Sequence, residues 1–515
     1  MRQLWRGPQT PGRLRAVEDK QAHRDRLTAV DASFLHQEKQ ASHMHVGALI
    51  TFEGPPPARD ELIEHIGANL SLIPRYRQKL AFPPLELGRP FWVDDPSFNL
   101  HYHVRHTALP RPGSDEQLRE LTGRIFSQRL DRSKPLWELW VVQGLERNRF
   151  ALISKTHHAL VDGVSGVDIA TVLFDLSPVP SERAAADEWT PAREPSDVEL
   201  AAEGVKGIVK TPIEVAGRAL GALGRPGRSA AQLREAAEGV GEVVWAGMNP
   251  APDVPLNVPI GPHRRVWWVE SRLADFKAIK DVLGGTVNDV VLTVVAGALG
   301  RWLRGRGVRT EGLELRALVP VSIRSEDERG SLGNRIAAMR GPLPVYADDP
   351  VERLGIVRAS MGHLKESKQA LGAEVIAGLT GFAPPTLLAQ ASRLNFSTRL
   401  FNLIVTNVPG PQFPLYILGR EMESIVPIAF LPENHAMAVA IMSYNGKVHF
   451  GLLGDYDAMG DLDRFGKHLE DSLAQLLTAA KKADRKRAAS NGSAKRAPAR
   501  KGAAQKKPAA ARKSD

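Results

Sequence analysis

The spacing of apolar residues over 22–176 changes repeatedly between the period of a helix and the period of a strand. Three segments place apolar residues every three to four positions and are predicted to be helices: 60–72, 113–130 and 164–176. Three others are predicted to be strand-like: 91–106, 140–145 and 150–156. Such a mixture of strands and helices predicts an α/β domain over 22–176.

The pattern breaks down over 177–257, where Pro, Ala, Glu and Gly dominate. Prolines interrupt the segment repeatedly, but the pieces 198–210 and 230–248 between them keep helical spacing. We predict a partly helical linker that joins two domains.

Regular patterning returns near Pro259 and predicts a second α/β domain over 258–480. The predicted helices are 273–283, 287–304, 351–371 and 462–480. The predicted strands are 313–321, 403–408, 435–444 and 447–453. Asn445-Gly446 separates the last two strands and predicts a hairpin, because a type I′ turn needs positive φ at both positions.

Charge is concentrated at the C-terminal end of the chain. The formal net charge is +10, but 481–515 holds thirteen Lys or Arg and two Asp, so the rest is close to −1. This tail has almost no residues that could form a core, and we predict that it is disordered. It is either a solubilising end or an electrostatic attachment to anionic lipid or, non-specifically, nucleic acid. No aromatic residues interleave with its charges, so specific nucleic-acid binding is not predicted.

Composition limits the remaining function classes. A chain of 515 residues with 43% hydrophobic residues can bury more than one core. It has no cysteine, which removes disulfides, a thiolate nucleophile and Cys-ligated metals. Residues 1–21 form a basic extension without an apolar signal core, and no apolar run reaches the roughly 18 residues of a membrane span. We expect a cytoplasmic protein, at most peripheral to membranes.

The motif HHxxxDG, from His157 to Gly163, lies where a predicted strand gives way to a predicted helix. With 15 His and 45 Gly in 515 residues, its chance expectation is about 0.002 per chain, so coincidence explains it poorly. A neutral imidazole can take a proton from a hydroxyl or thiol near pH 7. Glycine allows a tight turn and a close approach of backbone to substrate. The alternative is that both histidines are structural polar residues at a strand end.

The motif resembles the active-site motif of the CoA-dependent acyltransferase superfamily. That group includes chloramphenicol acetyltransferase, peptide-synthetase condensation domains and the bacterial wax ester synthase/diacylglycerol acyltransferases. Further stretches resemble the last branch in its order and spacing: Asp31-Ala32-Ser33-Phe34-Leu35, Met44-His45-Val46-Gly47, Pro135-Leu136-Trp137-Glu138, Asn288-Asp289, Pro320-Val321-Ser322-Ile323-Arg324, Leu332-Gly333-Asn334-Arg335 and Asn407-Val408-Pro409-Gly410-Pro411. The resemblance covers most of 27–480 except the linker, and Thr406 departs from it where Ser is common.

The resemblance implies two chloramphenicol-acetyltransferase-like domains, each a mixed sheet backed by helices, with a tunnel between them. It implies transfer of a long-chain acyl group from acyl-CoA to diacylglycerol or a long-chain alcohol, at a peripheral membrane or lipid-droplet surface. Acyl-CoA is then a co-substrate, and neither a cofactor nor a metal is predicted. The alternatives are acylation of another hydroxyl or an amine, or a non-catalytic lipid-droplet protein.

Within the motif we predict His158 as the general base and His157 as a structural neighbour that orients the loop. The resemblance makes Asp162 mainly structural and held by an arginine, for which Arg324 is a guess. Gly163 is predicted to turn the chain into the following helix.

Outside the motif, Pro135, Leu136 and Trp137 are either plain core residues or a wall near the acyl site. Asn288 is predicted to be a helix N-cap, a donor near the developing oxyanion, or both. Asp289 is expected to favour the helix N-terminus electrostatically. The resemblance adds three weaker site candidates: Asn334, Arg335 and Asn407.

Overall fold

The fold was determined from a computed structural model, which describes residues 25–86, 88–161, 173–180, 189–203, 249–322, 336–366 and 397–494. The predicted helix 164–176 lies largely outside these residues, as do the linker piece 230–248 and the end of the predicted helix 351–371.

The N-terminal half alternates short helices and strands up to the HHxxxDG motif. Its strands are β1 (Asp25–Arg26), β2 (His45–Glu53), β3 (Gln78–Ala81), β4 (Phe91–Asp94), β5 (Val104–Ala108), β6 (Trp137–Leu145) and β7 (Arg149–His157). Its helices are α1 (Ala29–Gln37), α2 (Arg59–Asn69), α3 (Leu100–His103), α4 (Asp115–Ser127) and α5 (His158–Val161).

The C-terminal half has longer helices. Its strands are β8 (Arg264–Arg272), β9 (Glu314–Ser322), β10 (Ile336–Pro344), β11 (Leu403–Pro409), β12 (Tyr416–Ile417), β13 (Arg420–Ile428), β14 (Met437–Tyr444) and β15 (Lys447–Asp455). Its helices are α6 (Leu273–Leu283), α7 (Val287–Gly305), α8 (Pro350–Glu366) and α9 (Leu462–Ala494).

Each half is built on a six-stranded mixed sheet. The N-terminal sheet has the order β12-β13-β2-β7-β6-β5, in which only β5 and β6 are parallel. The C-terminal sheet has the order β10-β9-β11-β14-β15-β8, in which β11 runs parallel to both neighbours. Two mixed sheets with packed helices confirm the predicted fold class.

Two strands of the C-terminal half, β12 and β13, belong to the N-terminal sheet. β13 pairs with β2, with Ile425 opposite Ile50 and Val426 opposite Leu49. The predicted division at 258–480 assigns this strand to the second domain, whereas its hydrogen bonds complete the first sheet. Without β13, β2 would be an unpaired edge strand with open backbone groups.

The core explains the apolar run Phe150-Ala151-Leu152-Ile153 in the middle of β7. Phe150 and Leu152 face a cluster with α2, while Ala151 and Ile153 face a cluster shared with α4 and the second sheet. A strand segment that is buried on both faces is apolar at successive positions, because neither face meets water. The strand that carries the motif is therefore held rigidly between two apolar layers.

The last hairpin is confirmed, because Asn445 and Gly446 have φ of 41° and 81°. The predicted strand 91–106 is wrong in its middle: α3 interrupts it, with the Asn99 side chain accepting from the His101 N–H. Asparagine at that position favours a helix start over a continued strand.

The predicted disorder of 481–515 is wrong for its first part, since α9 continues to Ala494. Ala, Lys and Arg are good helix formers, and adding residues to a helix already packed in the body avoids the cost of nucleation. Residues 495–515 lie outside the described part of the chain.

The described start of the linker packs on the N-terminal half. The Ala192 N–H donates to Asp94 Oδ2 at 3.0 Å, and Lys79 pairs with Glu194 at 2.9 Å. Leu200 is buried against Phe91 and its neighbours.

Within the described ranges, no single helix has both the length and the hydropathy to cross a membrane. α6 and α7 meet both only when taken together, and the chain bends by 101° between them.

Candidate functional site

The two histidines of the motif lie where β7 ends and α5 begins. The His157 N–H donates to the Leu136 carbonyl at 2.9 Å, and the His158 N–H donates to the Met44 carbonyl at 2.8 Å. The entry to β6 and the entry to β2 therefore fix the backbone on which both imidazoles are carried.

The side chains of the two histidines have different surroundings. His157 is 1% exposed, and its Nδ1 accepts the Ala159 N–H at 3.1 Å. A neutral His157 therefore carries its proton on Nε2. Burial lowers the pKa of His157 and outweighs the opposing influence of Glu38. Burial thus favours the neutral form of His157.

His158 is only partly buried and lies between aromatic side chains from both halves of the chain. Its ring stacks on Phe34 of α1, with 4.0 Å between centroids and 22° between planes. Phe430, which follows β13, meets the same ring edge-on at 5.4 Å. The two rings restrict the imidazole, which lies where the two halves of the chain meet.

Sequence reasoning missed Glu38, which immediately follows α1. Its side chain is 1% exposed, and its Oε2 accepts from Arg132 Nε at 2.8 Å and lies 3.6 Å from His157 Nε2. Its Oε1 lies 3.4 Å from Arg129 Nε and 3.8 Å from His45 Nε2. Burial alone would raise the pKa of this carboxyl, but His157 and Arg132 lower it to about 2. In the sequence, Glu38 was marked only by its position between Asp31-Ala32-Ser33-Phe34-Leu35 and Met44-His45-Val46-Gly47, the first two stretches of the resemblance.

A second cluster joins two predicted residues. Asn407 Nδ2 donates to Asn288 Oδ1 at 3.2 Å, so the structure brings together α7 and β11 at this point. The predicted N-cap role of Asn288 is wrong, because Thr286 is the N-cap and forms a capping box with Asp289. Asp289 lies in the first turn, where its Oδ2 accepts the Thr286 N–H at 2.8 Å. A carboxylate at this place favours the helix N-terminus electrostatically, as predicted.

The Pro135-Leu136-Trp137 element is buried throughout. Trp137 donates from its Nε1 to the Tyr76 carbonyl at 2.8 Å and stacks on His103 at 4.6 Å. The core alternative for this element therefore has direct support. Through its carbonyl, Leu136 also holds His157, which links the core to the motif.

Four predicted site residues lie outside the described residues: Asp162, Gly163, Asn334 and Arg335. Arg324, the guessed partner of Asp162, lies outside them as well. Within the part of the chain that the structure describes, no group of three or more His, Asp or Glu could hold a metal ion.

Family models and known relatives match most of this chain. The wax ester synthase/diacylglycerol acyltransferase catalytic domain matches residues 27–291, and the C-terminal domain of the same family matches residues 332–477. A probable diacylglycerol O-acyltransferase of Mycobacterium tuberculosis (Tgs1) is 33% identical over 460 residues, which cover 88% of this chain and 96% of that protein. A second from the same organism (Tgs2) is 33% identical over 461 residues, 88% of this chain and 98% of that protein.

Solved structures give the same picture. The wax ester synthase/diacylglycerol acyltransferase from Marinobacter aquaeolei VT8 superimposes with a TM-score of 0.61 at 28% identity, covering 89% of this chain and all of that one. The first condensation domain of the CDA synthetase matches with a TM-score of 0.54 at 14% identity, covering 89% and 96%, and shows the shared fold alone. From these matches, the chain belongs to the wax ester synthase/diacylglycerol acyltransferase family and is an acyltransferase.

Proposed function

We propose that the protein transfers a long-chain acyl group from acyl-CoA to diacylglycerol, a long-chain alcohol or both, with His158 as the general base. The observation that supports this role is the His158 ring itself. It is partly exposed and is clamped between Phe34 and Phe430, whereas His157 is buried and neutral.

In the proposed reaction, the acyl group moves from the CoA sulfur to the acceptor oxygen, and the hydroxyl proton moves through His158 to the CoA thiolate. The acceptor hydroxyl oxygen attacks the thioester carbonyl carbon while His158 takes the hydroxyl proton. The tetrahedral intermediate collapses with loss of the C–S bond, and His158 returns the proton to the thiolate, which leaves as CoA thiol. General acid–base assistance of this kind contributes about 10²- to 10⁴-fold in rate.

No acyl-enzyme is needed in this scheme. The chain has no cysteine, and no Gly-x-Ser-x-Gly elbow accompanies the histidines. Acyl-CoA is therefore a co-substrate, and the acyl group passes to the acceptor in one displacement without a further cofactor.

The donor near the developing oxyanion is proposed to be the Asn288–Asn407 pair. Its members hydrogen-bond to each other, and a preorganised amide donor of this kind can supply about 3 to 4 kcal/mol. This role rests on the chemistry of the pair and on its place at the start of α7.

The choice of acceptor follows the names of the two mycobacterial relatives and of the Marinobacter protein. Because such acceptors partition into lipid, we propose that the protein is cytoplasmic and peripherally associated with a membrane or lipid-droplet surface. The exposed basic end of α9, which includes Lys481, Lys482 and Arg485, would favour an anionic surface.

The test is to incubate the purified protein with a long-chain acyl-CoA and to follow free thiol with no acceptor, with diacylglycerol, with a fatty alcohol and with a fatty amine. The proposal predicts thiol release that depends on diacylglycerol or alcohol and yields the matching ester. Release only with the amine, or with no acceptor at all, would contradict it.

A further inference from the structure

A cluster of buried charged and titratable groups lies behind the motif, and the proposed reaction does not use it. Its centre is the Glu38 carboxylate, whose Oε1 lies near Arg129 and His45 and whose Oε2 lies near Arg132 and His157. An ionised carboxylate buried to 1% exposure needs these partners, because desolvation of an unpaired charge is costly.

Glu38 is connected to His158 by two routes. The first passes through His157: Glu38 Oε2 lies 3.6 Å from the Nε2 that carries the proton, while Nδ1 of the same ring accepts the Ala159 N–H. The His157 ring is therefore held from both sides. The peptide units that flank His158 are fixed with it.

The second route passes through α1. The Glu38 N–H donates to the Phe34 carbonyl at 3.1 Å, and Phe34 is the ring that stacks on His158. Arg132 binds both the Glu38 carboxylate and, at 2.9 Å, the Leu35 carbonyl. Arg132 thereby ties the last turn of α1 to the segment that enters β6.

We propose that Glu38 is a positioning residue that holds the His158 imidazole in its reactive orientation through His157 and Phe34. This inference rests on the proposed function, in which His158 is the base. It predicts that loss of the Glu38 charge lowers kcat with little effect on substrate binding, since Glu38 reaches the base only through other residues.

The first test compares steady-state kinetics of Glu38→Gln, Glu38→Asp and the wild type. Misplacing a catalytic group by about 1 Å can cost up to about 100-fold in rate. We expect kcat of Glu38→Gln to fall about 10- to 100-fold, and KM for acyl-CoA and acceptor to stay within about twofold. Glu38→Asp, which keeps the charge, should recover part of kcat.

The matched control is Glu138→Gln. Glu138 is also buried and also pairs with two cations, Arg105 at 3.0 Å and Lys155 at 3.3 Å, but its described contacts include neither motif histidine. A comparable loss of kcat in Glu138→Gln would show a general effect of removing buried charge and would overturn the inference.

A double-mutant cycle tests the route through His157. His157→Asn keeps an acceptor near the Nδ1 position and removes the proton that faces Glu38. If Glu38 acts through His157, the double variant loses about as much kcat as the more damaging single variant. If the fold losses in kcat of the two single variants multiply in the double variant, Glu38 and His157 act independently, which would contradict the route through His157.

A second measurement does not depend on turnover. In protein labelled with ¹⁵N-histidine, the ring signals of His157 and His158 are assigned by their loss in His157→Asn and His158→Ala. Glu38→Gln should move both signals, and Glu138→Gln should move neither. Unmoved signals in folded Glu38→Gln would refute the positioning role, whereas an inactive wild type in which both signals move would refute only the proposed function.

Discussion

The Glu38 cluster makes a quantitative prediction about stability against pH. Partners in the folded protein lower the pKa of Glu38 from 4.5 to about 2. A depressed pKa means that folding favours the ionised form, so the stabilisation is fully present above pH 4.5 and is lost as pH falls toward 2. At about 1.4 kcal/mol for each tenfold change, the full effect is about 3 kcal/mol.

Glu38→Gln removes the titrating group, so the difference in free energy of unfolding between wild type and variant should depend on pH. We expect a difference of about 3 kcal/mol at pH 7 that shrinks by about 1.4 kcal/mol at pH 3.5. Urea titrations of both proteins at several pH values between 7 and 3.5 would measure it. A difference that stays constant, or one that grows as the pH falls, would refute the reasoning about this carboxylate.

Three further outcomes are expected. Lys155→Met should lower the free energy of unfolding by about 3 to 5 kcal/mol in urea titrations. Lys155 Nζ is fully buried, donates to two carbonyls at the end of α4 and neutralises Glu138. A loss below 1 kcal/mol would contradict this. Intact-mass analysis after mixing with acyl-CoA alone should show no added acyl group, and a stoichiometric adduct would exclude direct transfer. Removing 481–515 should leave turnover of a soluble acceptor unchanged and should flatten the salt dependence of flotation with anionic vesicles, whereas equal, salt-independent flotation of both proteins would place the attachment in the body.

Local sequence patterns predicted the turns, helices and strands that are determined by residues close together in the sequence. The Asn445-Gly446 turn, the helices α4 and α7 and the two halves of β6–β7 all follow from period and turn chemistry within a few residues. The motif histidines were likewise recognisable, because their spacing is contained in seven residues.

Long-range pairing was not predictable in the same way. β13 is absent from the strands that the sequence predicts, because Arg420, Glu421 and Glu423 interrupt its apolar pattern. Nothing within it specifies β2 as its partner some 370 residues earlier. Glu38 and His157 are also far apart in sequence and meet only because β2, which follows α1, pairs with β7. The buried charge cluster is thus a product of sheet order.

Two errors have local physical causes. The sequence predicts Asn288 as the N-cap because it is polar and precedes an apolar run, but Thr286 with Asp289 three residues later is the stronger signature. Composition alone predicts a disordered tail, but a packed helix can continue through Ala, Lys and Arg.

The His158→Ala variant is the sharpest test of His158 as the general base. Acyl-CoA turnover with the preferred acceptor should be measured beside a thermal melt of the same preparation. A general-base role predicts a fall in turnover of about 10²- to 10⁴-fold in a protein that still folds, since the His158 backbone bond to Met44 is independent of the side chain. Turnover equal to that of the wild type in a folded variant would contradict it.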